Sequence, residues 1–211
     1  MICFSLLAII KFHIQLCPLL ILIKLFKEYS FYKIMPTKKD AVKSYIVDKN
    51  VVTEDSDKAR EFYAKSRFGE IKNSKVYLSF YEALYLVEKE KLDVLDSRNN
   101  VLSFEGFLKK IKAKKDFLVK YAVFKDLRSK GYIVKTALKF GADFRVYDKG
   151  IKPGQGHAKW VVFCVHESDK QTWHDFSAKN RVAHSTKKKL LISVVDDEMD
   201  ISYWEVGWQK P

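Results

Sequence analysis

Hydrophobic positions in the second half of the chain alternate between the spacing of helices and the spacing of strands. The segment KDFLVKYAVFKDLRSKG places Phe117, Tyr121 and Phe124 on one helical face and Gly131 at its end, which predicts a helix. Period-two alternation predicts three strands, in YIVKTALKF, ADFRVYD and HAKWVVFCVH. The remaining pattern predicts a helix in TWHDFSAKNRVAHST, a strand in KLLISVV, an acidic loop in DDEMD and a last strand in ISYWEVGWQKP.

The pattern in the first half of the chain body predicts shorter helices and strands. A strand, an Asp-Lys-Asn turn and a second strand fit KSYIVDKNVVTED, and a helix ended by Gly69 fits SDKAREFYAKSRFG. In KVYLSFYEALYLVEKEKL a short strand leads into a second helix. There Ser79 and Glu82 match a capping box, which satisfies free backbone N–H groups at a helix start. A strand in DVLD and a third helix in SFEGFLKKIKA follow.

These elements predict an α+β protein with two domains after an apolar extension. Residues 35–114 would form a small N-terminal domain that packs helices on a short sheet. Residues 115–211 would form a C-terminal domain with a mixed sheet flanked by helices, and with the functional site at one edge of that sheet.

Residues 1–34 are apolar but interrupted by Lys11, Pro18 and Lys24. Their longest uncharged run, Phe12 to Ile23, has 12 residues, whereas a membrane-spanning helix needs about 20. Three interpretations stay open: a mistaken upstream start codon, a membrane-surface helix or anchor, and a structural extension. Because Met35 opens a typical hydrophilic start, we expect residues 1–34 to be dispensable, with no stable membrane partner and a cytoplasmic location.

Charge and cysteine content narrow the class of partner. The net charge is +13, and residues 115–140 hold seven Lys and Arg against two Asp and Glu. Such an excess suits a phosphate-rich partner, although a solvated helix face would carry the same charge. The body has one cysteine, Cys164, and no Cys/His cluster, while His166 and His174 are eight residues apart without cysteines nearby. We therefore predict no disulfide in the body, no metal site and no cofactor.

The stretch VYDKGIKPGQGHAKWVV carries the candidate chemistry. Tyr147 and His157 lie ten residues apart, on either side of a loop rich in turn residues. Strand alternation predicts one polar face that collects Tyr147, Arg145, His157 and Lys159. The arrangement is explained either by packing or by a base and an acid that face each other across a small gap.

From Met35 to Pro211 the chain resembles the tRNA-splicing endonucleases, in particular the short, homotetrameric archaeal tRNA-intron endonucleases. The resemblance rests on FGADFRVYDKGIKPGQGHAKWVV, on RVAHSTKKKLLISVV and on the ending GWQKP. It implies a catalytic triad of Tyr147, His157 and Lys188. The lysine is chosen among Lys187, Lys188 and Lys189 by alignment to the family's HSxxKKLL pattern.

The resemblance also implies the reaction. The 2′-OH of the RNA attacks its own phosphate, so no metal is needed to activate water. Tyr147 would remove the 2′-OH proton, His157 would protonate the departing 5′-oxygen, and Lys188 would stabilise the extra negative charge on the phosphate. The products would be a 2′,3′-cyclic phosphate and a 5′-hydroxyl.

The implied substrate is a precursor tRNA whose intron boundaries form a bulge-helix-bulge. Arg181 matches an arginine that stacks on a flipped-out bulge base in the family, with Tyr203 or Trp204 as its suggested partner. His184 is interpreted as a structural residue that caps the helix. The alternative function is a non-catalytic structural subunit or an RNA-binding partner, but a structural subunit would be expected to lack part of the triad.

One active site per chain and two cut sites per substrate imply an assembly. The resemblance implies a homotetramer in which an acidic loop of one subunit docks into a basic cleft of another. That loop would carry four carboxylates: Asp196, Asp197, Glu198 and Asp200. An ordinary solvated hairpin is the alternative explanation for the same residues.

Overall fold

A computed structural model describes residue 209 and residues 41–207, and within that range it leaves out Leu138 and Phe140. All described residues belong to one compact unit. The prediction about residues 1–34 lies outside the described residues. Within the described part of the chain, no helix is both long and apolar enough to cross a membrane.

The first half forms a five-stranded sheet in the order β3-β4-β2-β1-β5. Strand β1 pairs parallel with β5, and the other pairs are antiparallel. The predicted hairpin at the Asp-Lys-Asn turn is confirmed, because β1 and β2 pair directly across it. The strands are β1 Val42–Val47, β2 Asn50–Thr53, β3 Glu70–Lys72, β4 Lys75–Leu78 and β5 Leu92–Leu95.

Serine side chains cap the three helices of this half, which are α1 Asp57–Ser66, α2 Phe80–Glu88 and α3 Phe104–Lys110. The capping box of Ser79 and Glu82 is confirmed. Gly69, however, does not end α1. The helix stops at Ser66, and Arg67 takes the left-handed conformation (φ 56°) that closes it.

The second half forms another five-stranded sheet, in the order β10-β9-β8-β7-β6. Strands β8 and β9 run parallel, because α5 connects them as a crossover, and the other neighbours are antiparallel. The predicted α+β class with a mixed C-terminal sheet is confirmed. The elements are α4 Lys115–Ser129, β6 Ile133–Thr136, β7 Phe144–Tyr147, β8 Trp160–His166, α5 Trp173–Ser185, β9 Lys189–Val195 and β10 Ile201–Val206.

Helices α4 and α5 contribute to different cores. Residues of α4 join the main core, with Val162 and Leu191 of the second sheet and much of the first half. Residues of α5 pack with Val161 and Leu190 in a smaller core. Because side chains alternate along a strand, α4 and α5 cover opposite faces of this sheet.

The two halves share the main core. The ring of Tyr81 on α2 stacks on Phe117 of α4 with 4.6 Å between ring centroids, and it meets Phe144 of β7 edge-on at 5.1 Å. The boundary predicted near Lys114 falls between α3 and α4. Apolar side chains from both sides of this boundary pack in the same main core, so the division into two domains stays a prediction.

Candidate active site

The candidate site lies at the edge of the second sheet where β7 ends and where β8 and β9 begin. Val146 lies opposite Trp160, and Trp160 lies opposite Lys189. The backbone ladder continues outward: the Lys159 N–H donates to the Val146 carbonyl at 2.9 Å, and the Lys189 N–H donates to the Lys159 carbonyl at 2.9 Å. Tyr147, which ends β7, and Lys188, which precedes β9, therefore lie at the same edge, two strand spacings or about 10 Å apart along the sheet.

Asp148 organises the loop between Tyr147 and His157. Its carbonyl accepts the Ile151 N–H at 3.0 Å, and its Oδ1 accepts the Lys149 N–H at 3.0 Å. Its Oδ2 accepts from Lys159 Nζ at 2.8 Å, an ion pair that closes the base of the loop. The hydrogen bond from Lys159 lowers the pKa of the Asp148 carboxyl. Sequence reasoning missed this ion pair, because eleven residues separate its members.

The tip of the loop is also shaped by the backbone. The Gln155 N–H donates to the Lys152 carbonyl at 3.0 Å, and the Gly156 N–H donates to the same carbonyl at 3.3 Å. A Cβ at Gly156 would stand 2.7 Å from Ile151 Cγ2, so only glycine fits there without a shift. His157 follows this turn and is exposed, which leaves its imidazole accessible to a ligand.

Strand alternation separates the lysines that the sequence left open. Phe144 and Val146 point into the main core, so the neighbouring Tyr147 points to the opposite side of the sheet, the side that α5 covers. Leu190 lies in the smaller core on the α5 side, so Lys188, two residues earlier, points to that side as well. The ammonium of Lys189 bonds Glu205, which lies across the sheet beside Trp160. Position 188 is therefore the one that points toward the face of Tyr147.

The backbone around Lys188 is held in place. Its N–H donates to the Ala183 carbonyl at 2.9 Å, and its Nζ donates to the Thr186 carbonyl at 2.8 Å. The preceding Lys187 is exposed and takes a left-handed conformation (φ 54°). Of the three predicted catalytic residues, Tyr147 is buried, with 5 % of its surface exposed, Lys188 is half-buried and His157 is exposed.

Helix α5 presents Arg181 beside this edge. The helix starts with a capping box of Thr172 and Asp175, whose hydrogen bonds lower the pKa of the Asp175 carboxyl. Val182 and Ala183 pack on the sheet. The outward side of α5 lines a shallow depression of about 350 Å³, formed by Ser177, Asn180, Arg181 and His184. His184 lies in the last turn of the helix, exposed and next to Arg181 in this depression.

The two suggested partners of Arg181 lie on opposite faces of β10. The Tyr203 hydroxyl donates to Asp126 Oδ2 of α4 at 2.7 Å, and burial raises the pKa of the Tyr203 phenol. Trp204 pairs with Ile192 and faces the α5 side, where 64 % of its surface is exposed. Within one chain, Trp204 therefore shares the side of Arg181, and Tyr203 does not.

The acidic loop between β9 and β10 is an ordered turn. The Asp200 N–H donates to Asp196 Oδ1 at 2.8 Å, and the Asp196 N–H donates to the Asp200 carbonyl at 3.1 Å. The exposed Asp197 carboxylate lies 3.1 Å from Nε2 of His166, a buried residue at the end of β8. His166 therefore contacts the loop. Among the described residues, no group of three or more His, Cys, Asp or Glu side chains is arranged to hold a metal ion.

Comparison with known proteins agrees with this architecture. The family model for "tRNA intron endonuclease, N-terminal domain" matches residues 42–108, and the model for "tRNA intron endonuclease, catalytic C-terminal domain" matches residues 117–203. The tRNA-splicing endonuclease of Pyrococcus furiosus is 38 % identical over 172 residues, which cover 82 % of this chain and 99 % of that protein.

Two further relatives carry the same name. The tRNA-splicing endonuclease of Pyrococcus abyssi is 39 % identical over 173 residues, 82 % of this chain and 99 % of that protein. The one from Nanoarchaeum equitans is 47 % identical over 141 residues, 64 % of this chain and 90 % of that protein. Both of the family's domains are present in the order that its models describe, so this chain belongs to the tRNA intron endonuclease family of enzymes.

Proposed function

We propose that this enzyme excises introns from precursor tRNA by cutting at both splice sites of a bulge-helix-bulge through metal-free transesterification. The observation that carries the proposal is the common sheet edge of Tyr147, His157 and Lys188. Three strand ends hold these residues, and the ion pair of Asp148 and Lys159 closes the loop between two of them. A site built this way can surround one phosphate from several sides.

Each residue has a role in a balanced reaction. The phenolate form of Tyr147 accepts the proton of the 2′-OH, and the 2′-oxygen forms a bond to phosphorus. The bond from phosphorus to the 5′-oxygen breaks, and His157 supplies the proton that this oxygen takes up. Lys188 stabilises the charge of the five-coordinate phosphate, an electrostatic contribution that is largest when the group is already in position. The products are a 2′,3′-cyclic phosphate and a 5′-hydroxyl.

The mechanism is tested with a bulge-helix-bulge RNA in EDTA. We expect the all-ribose RNA to be cut, and an RNA with 2′-hydrogen at both cut sites to be bound but not cut. Cleavage of the deoxy RNA at a normal rate would disprove the mechanism, because the nucleophile would then be another group. Binding without cleavage of the all-ribose RNA would instead favour a structural subunit.

Single substitutions test the residues. His157→Ala should slow single-turnover cleavage by about 10²–10⁴-fold, the usual effect of losing one proton transfer. Lys188→Met should slow it strongly as well. Lys189→Met is the matched control, because its ammonium bonds Glu205 on the other face of the sheet. Equal effects of the two lysine substitutions would show that Lys188 has no special role.

We further propose that the working form is a homotetramer that docks through the acidic loop. The proposal is supported by four carboxylates in an exposed turn and by a net charge of +13, which leaves cationic surface to receive them. Replacing Asp196, Asp197 and Glu198 by serine should lower the mass measured by light scattering. A monomeric wild type, or a triple variant that stays tetrameric at high salt and low concentration, would contradict this role.

A further inference from the structure

Trp173 is the most exposed large hydrophobic side chain in the described part of the chain, with 83 % of its surface accessible. It is the first residue of α5, directly after the Thr172 cap that holds the helix start. Its ring meets Phe176 at a right angle, with 5.8 Å between ring centroids. The indole is therefore supported from one side while most of its surface stays free.

Helical spacing aligns Trp173 with the depression beside Arg181. Ser177, Asn180, Arg181 and His184 follow at intervals of four, seven, eight and eleven residues, which place all five side chains within an arc of about 100°. The rise of the helix puts Trp173 about 6 Å from Ser177 and about 12 Å from Arg181 along the axis. Trp173 thus extends the depression by one helical turn.

The charge around α5 indicates the class of partner. Residues 170–189 contain six Lys and Arg side chains against one carboxylate, that of Asp175. Thr172 and His174 flank Trp173 in sequence, and Ser177 follows it on the helix face. Apart from the half-buried Phe176 that supports it, the indole is therefore bordered by polar residues and not by the large apolar patch that is typical of a protein-docking surface. An exposed aromatic ring that continues the helix face of Arg181, on a helix whose cations gather toward its C-terminal end, is instead an arrangement on which unpaired bases stack.

We propose that Trp173 stacks on an unpaired base of the RNA substrate. At about 12 Å from Arg181 along the helix, it contacts a different nucleotide from the one beside that arginine. Arg181 and Trp173 then hold two points of the non-helical RNA along one helix face. This inference rests on the proposed function for the identity of the RNA, but it concerns binding and not the chemical step.

The test measures equilibrium binding of an uncleavable bulge-helix-bulge RNA, with 2′-hydrogen at both cut sites, and of a fully paired duplex of the same length. Trp173→Ala should weaken binding of the bulged RNA by about 5- to 150-fold, the ratio expected for losing one stacked base. Binding of the duplex should not change. Trp173→Phe should retain most of the affinity, and Tyr45→Ala, which truncates an exposed aromatic residue of the first sheet, serves as the matched control.

Three results would overturn the proposal. They are wild-type affinity of Trp173→Ala for the bulged RNA, an equal loss of affinity for the duplex, and a change in oligomeric mass by light scattering. The last would show that Trp173 contacts another protein chain. Because the RNA cannot be cut, a loss of selective binding in Trp173→Ala supports the stacking role even if the wild type fails to cleave the all-ribose RNA.

Discussion

The buried ion pair of Glu82 and Lys135 joins the two halves of the molecule. Lys135 on β6 donates from Nζ to Glu82 Oε1 at 2.9 Å and to the Gly69 carbonyl at 2.7 Å. Only 6 % of the Glu82 side chain and 12 % of the Lys135 side chain are exposed. The carboxylate also accepts the Gly69 N–H, the Ser79 N–H and the Ser79 hydroxyl, each at 2.9 Å.

Lys135→Met removes the cation that is in direct contact with this carboxylate. Breaking a buried pair by removing one partner typically destabilises a protein by about 3–5 kcal/mol. We expect the lower end, about 3 kcal/mol, because Glu82 keeps three hydrogen-bond donors. In a chain of this size such a loss lowers the midpoint of thermal unfolding by roughly 6–12 °C.

The assay compares urea and thermal unfolding of Lys135→Met with that of Lys65→Met at one protein concentration, because assembly adds to apparent stability. Lys65 forms an exposed i,i+4 pair with Glu61, so its loss should change the free energy of unfolding by only about 0.3–0.5 kcal/mol. The double variant Glu82→Gln, Lys135→Met should lose less than the sum of its single variants. If Lys135→Met unfolds like Lys65→Met, the ion pair does not hold the halves together.

Three further predictions concern acid stability, the loop between Tyr147 and His157, and a glycine. Hydrogen bonds from Lys189 and Trp160 lower the pKa of the Glu205 carboxyl in the folded state. The carboxylate therefore stabilises the fold above its unfolded-state pKa, and this stabilisation is lost as the pH falls through the lower folded-state pKa. In urea unfolding Glu205→Gln should be less stable than wild type at pH 7, and this difference in stability should disappear in acid. Asp148→Asn should reduce kcat with little change in unfolding, because the exposed pair with Lys159 adds little stability but closes the loop base; unchanged kcat would contradict this role. Gly69→Ala should lower the thermal midpoint more than the same substitution at a glycine with free space around it. The φ angle of Gly69 is +65°, and a Cβ at this position would stand 2.6 Å from the Tyr77 carbonyl oxygen. An equal shift of the midpoint in both variants would refute the close approach.

Local sequence patterns predicted most of the elements because their causes lie within a few residues. Helical spacing predicted α4, alternation predicted β8, and the capping box of Ser79 with Glu82 depends on positions three residues apart. The end of α1 was misplaced because Arg67 adopts a left-handed conformation that the sequence rule assigns to glycine. Family membership was predicted from motif words and is confirmed, whereas the catalytic roles of Tyr147, His157 and Lys188 stay predictions.

Only the tertiary structure decided which residues lie on the same face of a sheet, and which residues far apart in sequence form ion pairs. The strand register separates Lys188 from Lys189 and places Trp204, but not Tyr203, on the side of Arg181. The pairing of Glu82 with Lys135 spans 53 residues, for which no local pattern gives a signal. Hydrophobic periodicity determines which side of an element is buried, but the partner across the core depends on how strands order and helices cross, and the whole chain must fold to set that.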